Sequence, residues 1–395
     1  MNVTKLNKVN ESRFERHPRF TLFIVIVVFY LIFDFGLGFF FIPYNYNKFR
    51  TLDPVYHHGL RPGQNAMAAW GALVYPFHTN SLGFRDSSSY TVPLKYDGKR
   101  ILVLGDSHTE AVGIPYEYSF FGILQKKAMQ KKISMLNGSA VSYSPKIYYL
   151  KTKYLLEEKH LKTDEIWVFI DISDLQNELT YEHFVPSGRN IIKEIFLISI
   201  PRFLKNHSLT WNTISRKIDA WNLKDLYEAI QSFNKQGETE GVKNNIELYS
   251  VFFKDFKDKE MLRNPGFHVV SNWYYDPFFR KLADEGLDLG MENIAMLKQL
   301  CTANHIRLRL SVHPWKTQVM KQDTMDYYVQ RWKNFCQEQN IYFINLCPLF
   351  IDGENPVIAT KKYYIPNDNH WSEPGHARVA AYLESFLEND SINKQ

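Results

Sequence analysis

Cysteine is scarce, with three in 395 residues, at Cys301, Cys336 and Cys347. The number is odd, all three lie in the C-terminal third, and no CxxC or Cys/His metal spacing accompanies them. That argues against a zinc ribbon or a disulfide framework; at most one disulfide can form, and spacing does not choose the pair. A strong charge of one sign is missing too: 47 basic against 42 acidic residues leave a net +5. No basic block stands out, so a nucleic-acid partner is not expected. Internal repeats, low-complexity tracts and Gly-rich phosphate loops are absent, and nothing calls for a cofactor. What the chain does have is 45% hydrophobic and 15% aromatic residues, the composition of an ordered globular protein with one large domain or two small ones.

There is one long apolar run. Residues 20–42 read FTLFIVIVVFYLIFDFGLGFFFI and end at Pro43. As a helix the run would be about 34 Å long, enough for a bilayer core. Residues 1–19 carry Lys5, Lys8, Arg13, Arg16 and Arg19 against Glu11 and Glu15, five minus two or +3. Fewer cations follow the run. The bias predicts a single-pass anchor in the cytoplasmic (inner) membrane, with the N-terminus in the cytoplasm and the rest periplasmic or otherwise extracytoplasmic. A cleaved signal peptide fits less well, because the run is too long and no small-residue cleavage site follows. Asp34 is out of place inside it, since a mid-helix charge costs about 2.5–3.5 kcal/mol. The plainer reading is a protonated or snorkelling Asp34 beside Gly36 and Gly38. The sharper one is a polar contact with a partner membrane protein.

Residues 43–95 are rich in aromatics, His and Gly, and read as short strands and turns packing on a main domain at 96–390. In that domain strand candidates at Arg100–Leu104, Ile133–Leu136, Ile166–Ile172, Ile306–Val312 and Ile341–Leu346 alternate with helices. The clearest helices are Lys146–His160, Gly290–Asn304 and Met325–Gln339. Such alternation predicts an α/β fold with a mostly parallel sheet covered on both faces. From near Ser372, His376, Val379, Ala380, Leu383, Phe386 and Leu387 recur at helical spacing and predict a C-terminal amphipathic helix. Between about 176 and 289 the alternation fails, and a helical insertion is expected there. Its apolar stripe at 191–204 reads as core.

Residues 101–114, ILVLGDSHTEAVGI, place Gly105-Asp106-Ser107 directly after a buried-looking strand. Open α/β sheets hold their ligands at that end of a strand. A serine nucleophile needs a base, and the base needs a group to fix its tautomer. YYIPNDNHWSEPGHARVAAYL at 363–383 supplies both, with Asp368 and His370 two residues apart before the last helix. A short loop can turn the Asp368 carboxylate onto Nδ1 of His370 and leave Nε2 for Ser107. Weaker candidates are His57, His58 and His313 as metal ligands, though nothing fixes their spacing and no metal is expected. His313 ends a strand and can instead serve as a substrate wall.

A GDS turn after the first strand, with D-x-H-W before the last helix, resembles the SGNH/GDSL hydrolase superfamily. The resemblance is strongest to its membrane-anchored bacterial members. TNSLGFRD (79–86), GDSHTEAVGIPYEYSF (105–120), LNGSAVSYSP (136–145), FIDISDLQNE (169–178), HPWKTQV (313–319) and NDNHWSEPGH (367–376) carry it across most of residues 50–390. It implies a three-layer α/β/α, flavodoxin-like SGNH-hydrolase-like domain with Ser107, Asp368 and His370 as an esterase-type triad. It also implies an oxyanion hole from the Ser107 N–H, an N–H of the second-strand loop and an Asn side chain after the third strand. The second donor falls on Gly138 or Ser142, with Ser142 favoured by the positions of Tyr143 and Pro145. The third falls on Ser173, with Asp174 beside it; a Ser hydroxyl can donate and an ionised Asp cannot. His313 and Trp371 are the expected substrate contacts.

Three activities follow from this reading. The first is a serine O-acyl (acetyl) esterase acting on an acylated carbohydrate or lipid of the cell envelope. A polysaccharide O-acetyltransferase would use the same triad with a sugar hydroxyl in place of water, as in proteins that look like the alginate acetylation group. A non-catalytic carbohydrate-binding or scaffold subunit is the reading from another class.

Overall fold

The computed structural model describes residues 13–42, 46, 48–70, 73–187, 200–215, 217, 280–351, 353, 355–366 and 368–388. The chain divides into two units, one of residues 1–45 with 190–228 and one of residues 46–189 with 229–395.

In the first unit, Pro18–Phe41 is one helix of 24 residues with a mean hydropathy of 2.5, long and apolar enough to cross a membrane. Pro18 suits its first turn because the missing N–H would have no intrahelical partner there. Most of the aliphatic and aromatic side chains stand exposed; Asp34 and Gly38 are buried. Asp34 Oδ1 accepts the Thr210 N–H at 2.8 Å, and the Tyr30 hydroxyl donates to Thr210 Oγ1 at 2.8 Å. The chain's own residues after the helix Ile200–His207 therefore partner Asp34. A Cβ at Gly38 would sit 2.0 Å from the His207 carbonyl oxygen, which explains the small residue one turn beyond Asp34. Of the stripe at 191–204, residues 191–199 lie outside the described residues. Ile200 and Phe203 are exposed rather than core.

The second unit holds ten strands among the described residues. β1 (Arg50–Asp53) and β2 (His57–Leu60) form an antiparallel pair; β3 (Asn65–Trp70), β4 (Leu73–Thr79) and β5 (Arg85–Asp86) form a second antiparallel sheet. β6 (Arg100–Leu104), β7 (Ser134–Asn137), β8 (Glu165–Ile170), β9 (Arg307–Val312) and β10 (Tyr342–Asn345) make a sheet in the order β10-β9-β8-β6-β7. Every pairing in it is parallel. All residues of β6 and β8 are buried, as strands covered on both faces require. The order is the flavodoxin-like one, with a switch point between β6 and β8, where a crevice opens at the carboxyl ends.

From β6 the chain steps outward to β7, and every later crossover runs the other way. Right-handed connections then put helices on opposite faces. Phe120–Gln130 packs with Glu373–Leu383 on one side; Arg280–Ala303 packs with Pro145–Lys153 and Ser173–Tyr181 on the other. The helices Ser173–Tyr181 and Arg280–Ala303 both belong to this α/β layer, so each end of the expected insertion is shorter than its 176–289 span. Residues 218–279 of it lie outside the described ones. Trp167, Trp332 and Trp371 are fully buried, so much of the aromatic content builds core. The three cysteines are free and buried.

Candidate active site

β6 ends at Leu104, and the next residues turn sharply into the short helix Ser107–Glu110. A Cβ on Gly105 would lie 2.1 Å from Thr109 Oγ1, so the turn closes only on glycine. Asp106 caps the helix, its Oδ1 accepting the His108 N–H at 2.9 Å, and Ser107 occupies the first helical position. Two arginines from the preceding strands fix the following residues. Arg50 grips Glu110 bidentately at 2.9 and 2.7 Å, and the Arg85 guanidinium donates to the carbonyls of Glu110, Ala111 and Ile114. Glu110 also accepts the Val141 N–H at 2.9 Å, which ties the loop after β7 to the loop after β6.

At the other end of the chain Tyr364 bridges to Trp371, and the Ile365 N–H donates to the His370 carbonyl at 2.9 Å. Lys316 Nζ donates to the Ile365 carbonyl at 2.7 Å. This closed loop carries Asp368 and His370. His370 Nε2 lies 2.8 Å from Ser107 Oγ, and His370 Nδ1 lies 2.5 Å from Asp368 Oδ1. The Asp368 Oδ2 accepts the indole N–H of Trp70 at 2.5 Å. Burial alone would raise the Asp368 carboxyl, but the His370 ring, its hydrogen bonds and Trp70 hold it well below the usual carboxylate range. An ionised Asp368 can only accept, so Nδ1 carries the hydrogen and Nε2 presents its lone pair to the Ser107 hydroxyl. Ser107 is 8% and His370 7% exposed against 3% for Asp368, so the small opening lies at the Ser107–His370 end.

The expected oxyanion donors are placed unevenly. Gly138 donates its N–H to the Val103 carbonyl at 2.8 Å. Ser142 sits in the left-handed region at φ 62°, and among the described residues its N–H makes no such bond. Ser173 donates its hydroxyl to Asp171 Oδ1 at 2.6 Å, so that hydrogen is engaged away from an oxyanion. Asp174 faces the Tyr148 hydroxyl, and burial with Asp171 and Asp106 nearby raises its pKa well above the usual range.

His313 and Trp371, expected as substrate contacts, are both 0% exposed and present no surface to a ligand. Trp371 stacks on Phe350 with ring centroids 5.5 Å apart and packs edge-on to His108 and His313. His57 and His58 point their Nδ1 atoms at each other at 2.7 Å, and His58 Nε2 lies 2.8 Å from the Val141 carbonyl oxygen. Two residues escaped the sequence reading. Trp70 lies 298 positions from its partner and carries no local signal. Asp171 sits within the FIDIS stretch, but only the sheet brings it beside His108 and His313.

No protein-family model matches the chain, and no curated protein matches it. Solved structures similar to it include a putative lipolytic protein of the G-D-S-L family from Desulfitobacterium hafniense (12% identity, 73% of this chain and 99% of that one, TM-score 0.36). Another is the psychrotrophic esterase EstA from Pseudoalteromonas (10% identity, 74% and 100%, TM-score 0.37). A third is the acetylxylan esterase Axe2 from Geobacillus stearothermophilus (14% identity, 76% and 99%, TM-score 0.37).

Proposed function

We propose that this chain is a serine ester hydrolase, and that it is a membrane-anchored, extracytoplasmic O-acyl esterase of an acylated envelope carbohydrate or lipid. One observation carries the reading: Ser107, His370 and Asp368 stand in a hydrogen-bonded series, 2.8 and 2.5 Å apart, at the carboxyl end of β6. Ser107 Oγ attacks the ester carbonyl while His370 Nε2 takes its proton, and Asp368 stabilises the imidazolium that forms. The tetrahedral oxyanion is met by the N–H groups of Ser107 and Ser142. His370 then protonates the departing alcohol, leaving an acyl-Ser107. Water, deprotonated by His370, attacks that acyl group and releases the acid.

The apolar helix Pro18–Phe41 supports the anchor in this reading, and the charge bias before it supports a folded domain outside the cytoplasm. The test uses the purified full chain with an aryl acetate ester and an organophosphonate probe. Hydrolysis and labelling at Ser107 are expected, with both lost in Ser107→Ala and sharply slowed in His370→Ala and Asp368→Asn. Labelling at another serine, or none, favours the non-catalytic reading. Adding a polysaccharide acceptor to the same assay tells transfer from hydrolysis by whether the acetyl group ends on sugar or on water.

A further inference from the structure

Directly beneath the Ser107 turn, three strand ends deliver four polar side chains to one point. Asp106 and His108 follow β6, Asp171 follows β8 and His313 follows β9. Their exposures are 2, 1, 0 and 0%. One donor atom from each lies within 4.8 Å of all the others. His108 Nδ1 is 3.2 Å from Asp171 Oδ2, His313 Nε2 is 3.7 Å from that same oxygen, and His108 Nδ1 is 3.9 Å from Asp106 Oδ1. Despite the closeness, His108 Nδ1, Asp171 Oδ2 and His313 Nε2 make no hydrogen bond.

Buried polar atoms without partners are costly, on the order of 1–3 kcal/mol each and more when charged. The arrangement here is worse than unpaired. His108 Nε2 is 2.9 Å from the Asn369 carbonyl oxygen, which can only accept, so Nε2 holds the hydrogen. A neutral His108 therefore aims its Nδ1 lone pair at two carboxylates. A proton on Nδ1 would ease that contact, yet it would leave His313 Nε2 3.7 Å from Asp171 Oδ2, beyond hydrogen-bond distance. A cation at the centre answers all four groups at once.

The spacing suits one. Metal bonds of about 2.0–2.2 Å put tetrahedral donors about 3.3–3.6 Å apart, and the three separations above straddle that range. We propose that Asp106, His108, Asp171 and His313 bind one divalent transition-metal ion, for which Zn²⁺ matches two imidazole nitrogens and two carboxylate oxygens in a closed four-donor set. Orienting partners of such a site are in place for His108 and Asp171. The Asn369 carbonyl holds the far nitrogen of His108, and the Ser173 hydroxyl donates at 2.6 Å to the other oxygen of Asp171. The Asp106 Oδ2 lies 3.2 Å from Ser107 Oγ. The ion would tie the ends of β6, β8 and β9 together and fix Asp106 behind Ser107. With no open position it holds structure rather than substrate, and it stands whether or not Ser107 is a nucleophile.

The test is metal analysis of the full-length chain, purified in detergent without chelator. About one zinc per chain is expected, removable by prolonged dialysis against a chelator and restored to the same ratio by Zn²⁺ alone, with a melting temperature raised on re-addition. Co²⁺ in its place should give the visible absorption of a tetrahedral site. His313→Ala with Asp171→Ala should abolish binding, while His57→Ala with His58→Ala should leave it intact. A chelator-treated wild type that takes up no Zn²⁺ and melts unchanged in its presence overturns the proposal. So does metal that survives in the folded His313→Ala, Asp171→Ala chain. Should that double variant fail to fold, the wild-type uptake and the Co²⁺ spectrum decide.

Discussion

The indole N–H of Trp70 donates to Asp368 Oδ2 at 2.5 Å, and the indole edge meets the His370 ring with centroids 4.9 Å apart. An antiparallel sheet that precedes the α/β domain thus reaches its farthest functional loop. Trp70 touches no reacting atom, so it is a positioning residue for the carboxylate that orients His370. Trp70→Phe keeps the ring and removes the bond. It should lower kcat about 10- to 100-fold with KM little changed, as small misplacements of a catalytic group do. It should also raise the Asp368 pKa, because the bond to Trp70 is one of the contacts that hold it down. The acid limb of the pH–rate profile should then move upward. An unmoved limb with a simple loss of melting temperature would assign Trp70 to packing alone.

Ser173 tests the third oxyanion position. Its hydroxyl hydrogen points to Asp171 Oδ1 at 2.6 Å rather than toward Ser107. Loss of a working oxyanion donor costs about 100- to 1,000-fold in kcat. Ser173→Ala should therefore stay within about tenfold of wild type, well short of that loss. A drop of two orders of magnitude, with KM unchanged, would mean that the hydroxyl leaves Asp171 as the oxyanion forms.

These two residues mark where the sequence stopped being informative. The five parallel strands were legible because short strand-like segments alternate with helical stretches, and β6 at Arg100–Leu104 matches its expected bounds. Ser107, Asp368 and His370 could be picked out because each sits in a short local signature. His313, expected as a substrate wall, and Trp371, expected as a substrate contact, are buried; strand position gives His313 its end of the sheet but not its depth. Trp70 and the convergence of Asp106, His108, Asp171 and His313 depend on register between elements far apart in the chain, which no local pattern encodes. The helix Arg280–Ala303 starts ten residues before its expected Gly290, although Gly286 inside it is a weak helix former. Gly286 is a packing position, where a Cβ would lie 2.6 Å from the Leu175 carbonyl oxygen.

Topology is checked without any assay of the site. The +3 charge of residues 1–19 and the helix that follows predict export of everything after it. A reporter that works only outside the cytoplasm, fused after residue 60, should be active, and a cytoplasm-only reporter at the same point should be silent. The reverse pattern would put the domain inside and remove the envelope substrate from consideration.

Glu178 should leave a signature in stability against pH. It lies between two helices, its Oε1 accepting the Lys146 N–H at 2.5 Å and its Oε2 accepting from Asn293 Nδ2 at 3.1 Å. Burial pushes its carboxyl up to about 7 from an ordinary 4.5, only partly offset by the Lys146 bond. The native chain then holds this proton more tightly than the unfolded chain does. The stabilisation is complete below about pH 4.5 and fades as pH rises through about 7, with a slope of up to about 1.4 kcal/mol per pH unit inside that window. Melts of the full chain at a series of pH values should therefore show Glu178→Gln with a flatter profile than wild type between pH 5 and 7. Absolute melting temperature is a poorer readout, because the new amide meets the Asn293 amide and shifts the whole curve. Identical slopes for the two proteins would mean that Glu178 stays ionised at pH 7, held by Lys146 and Asn293 against the cost of burial.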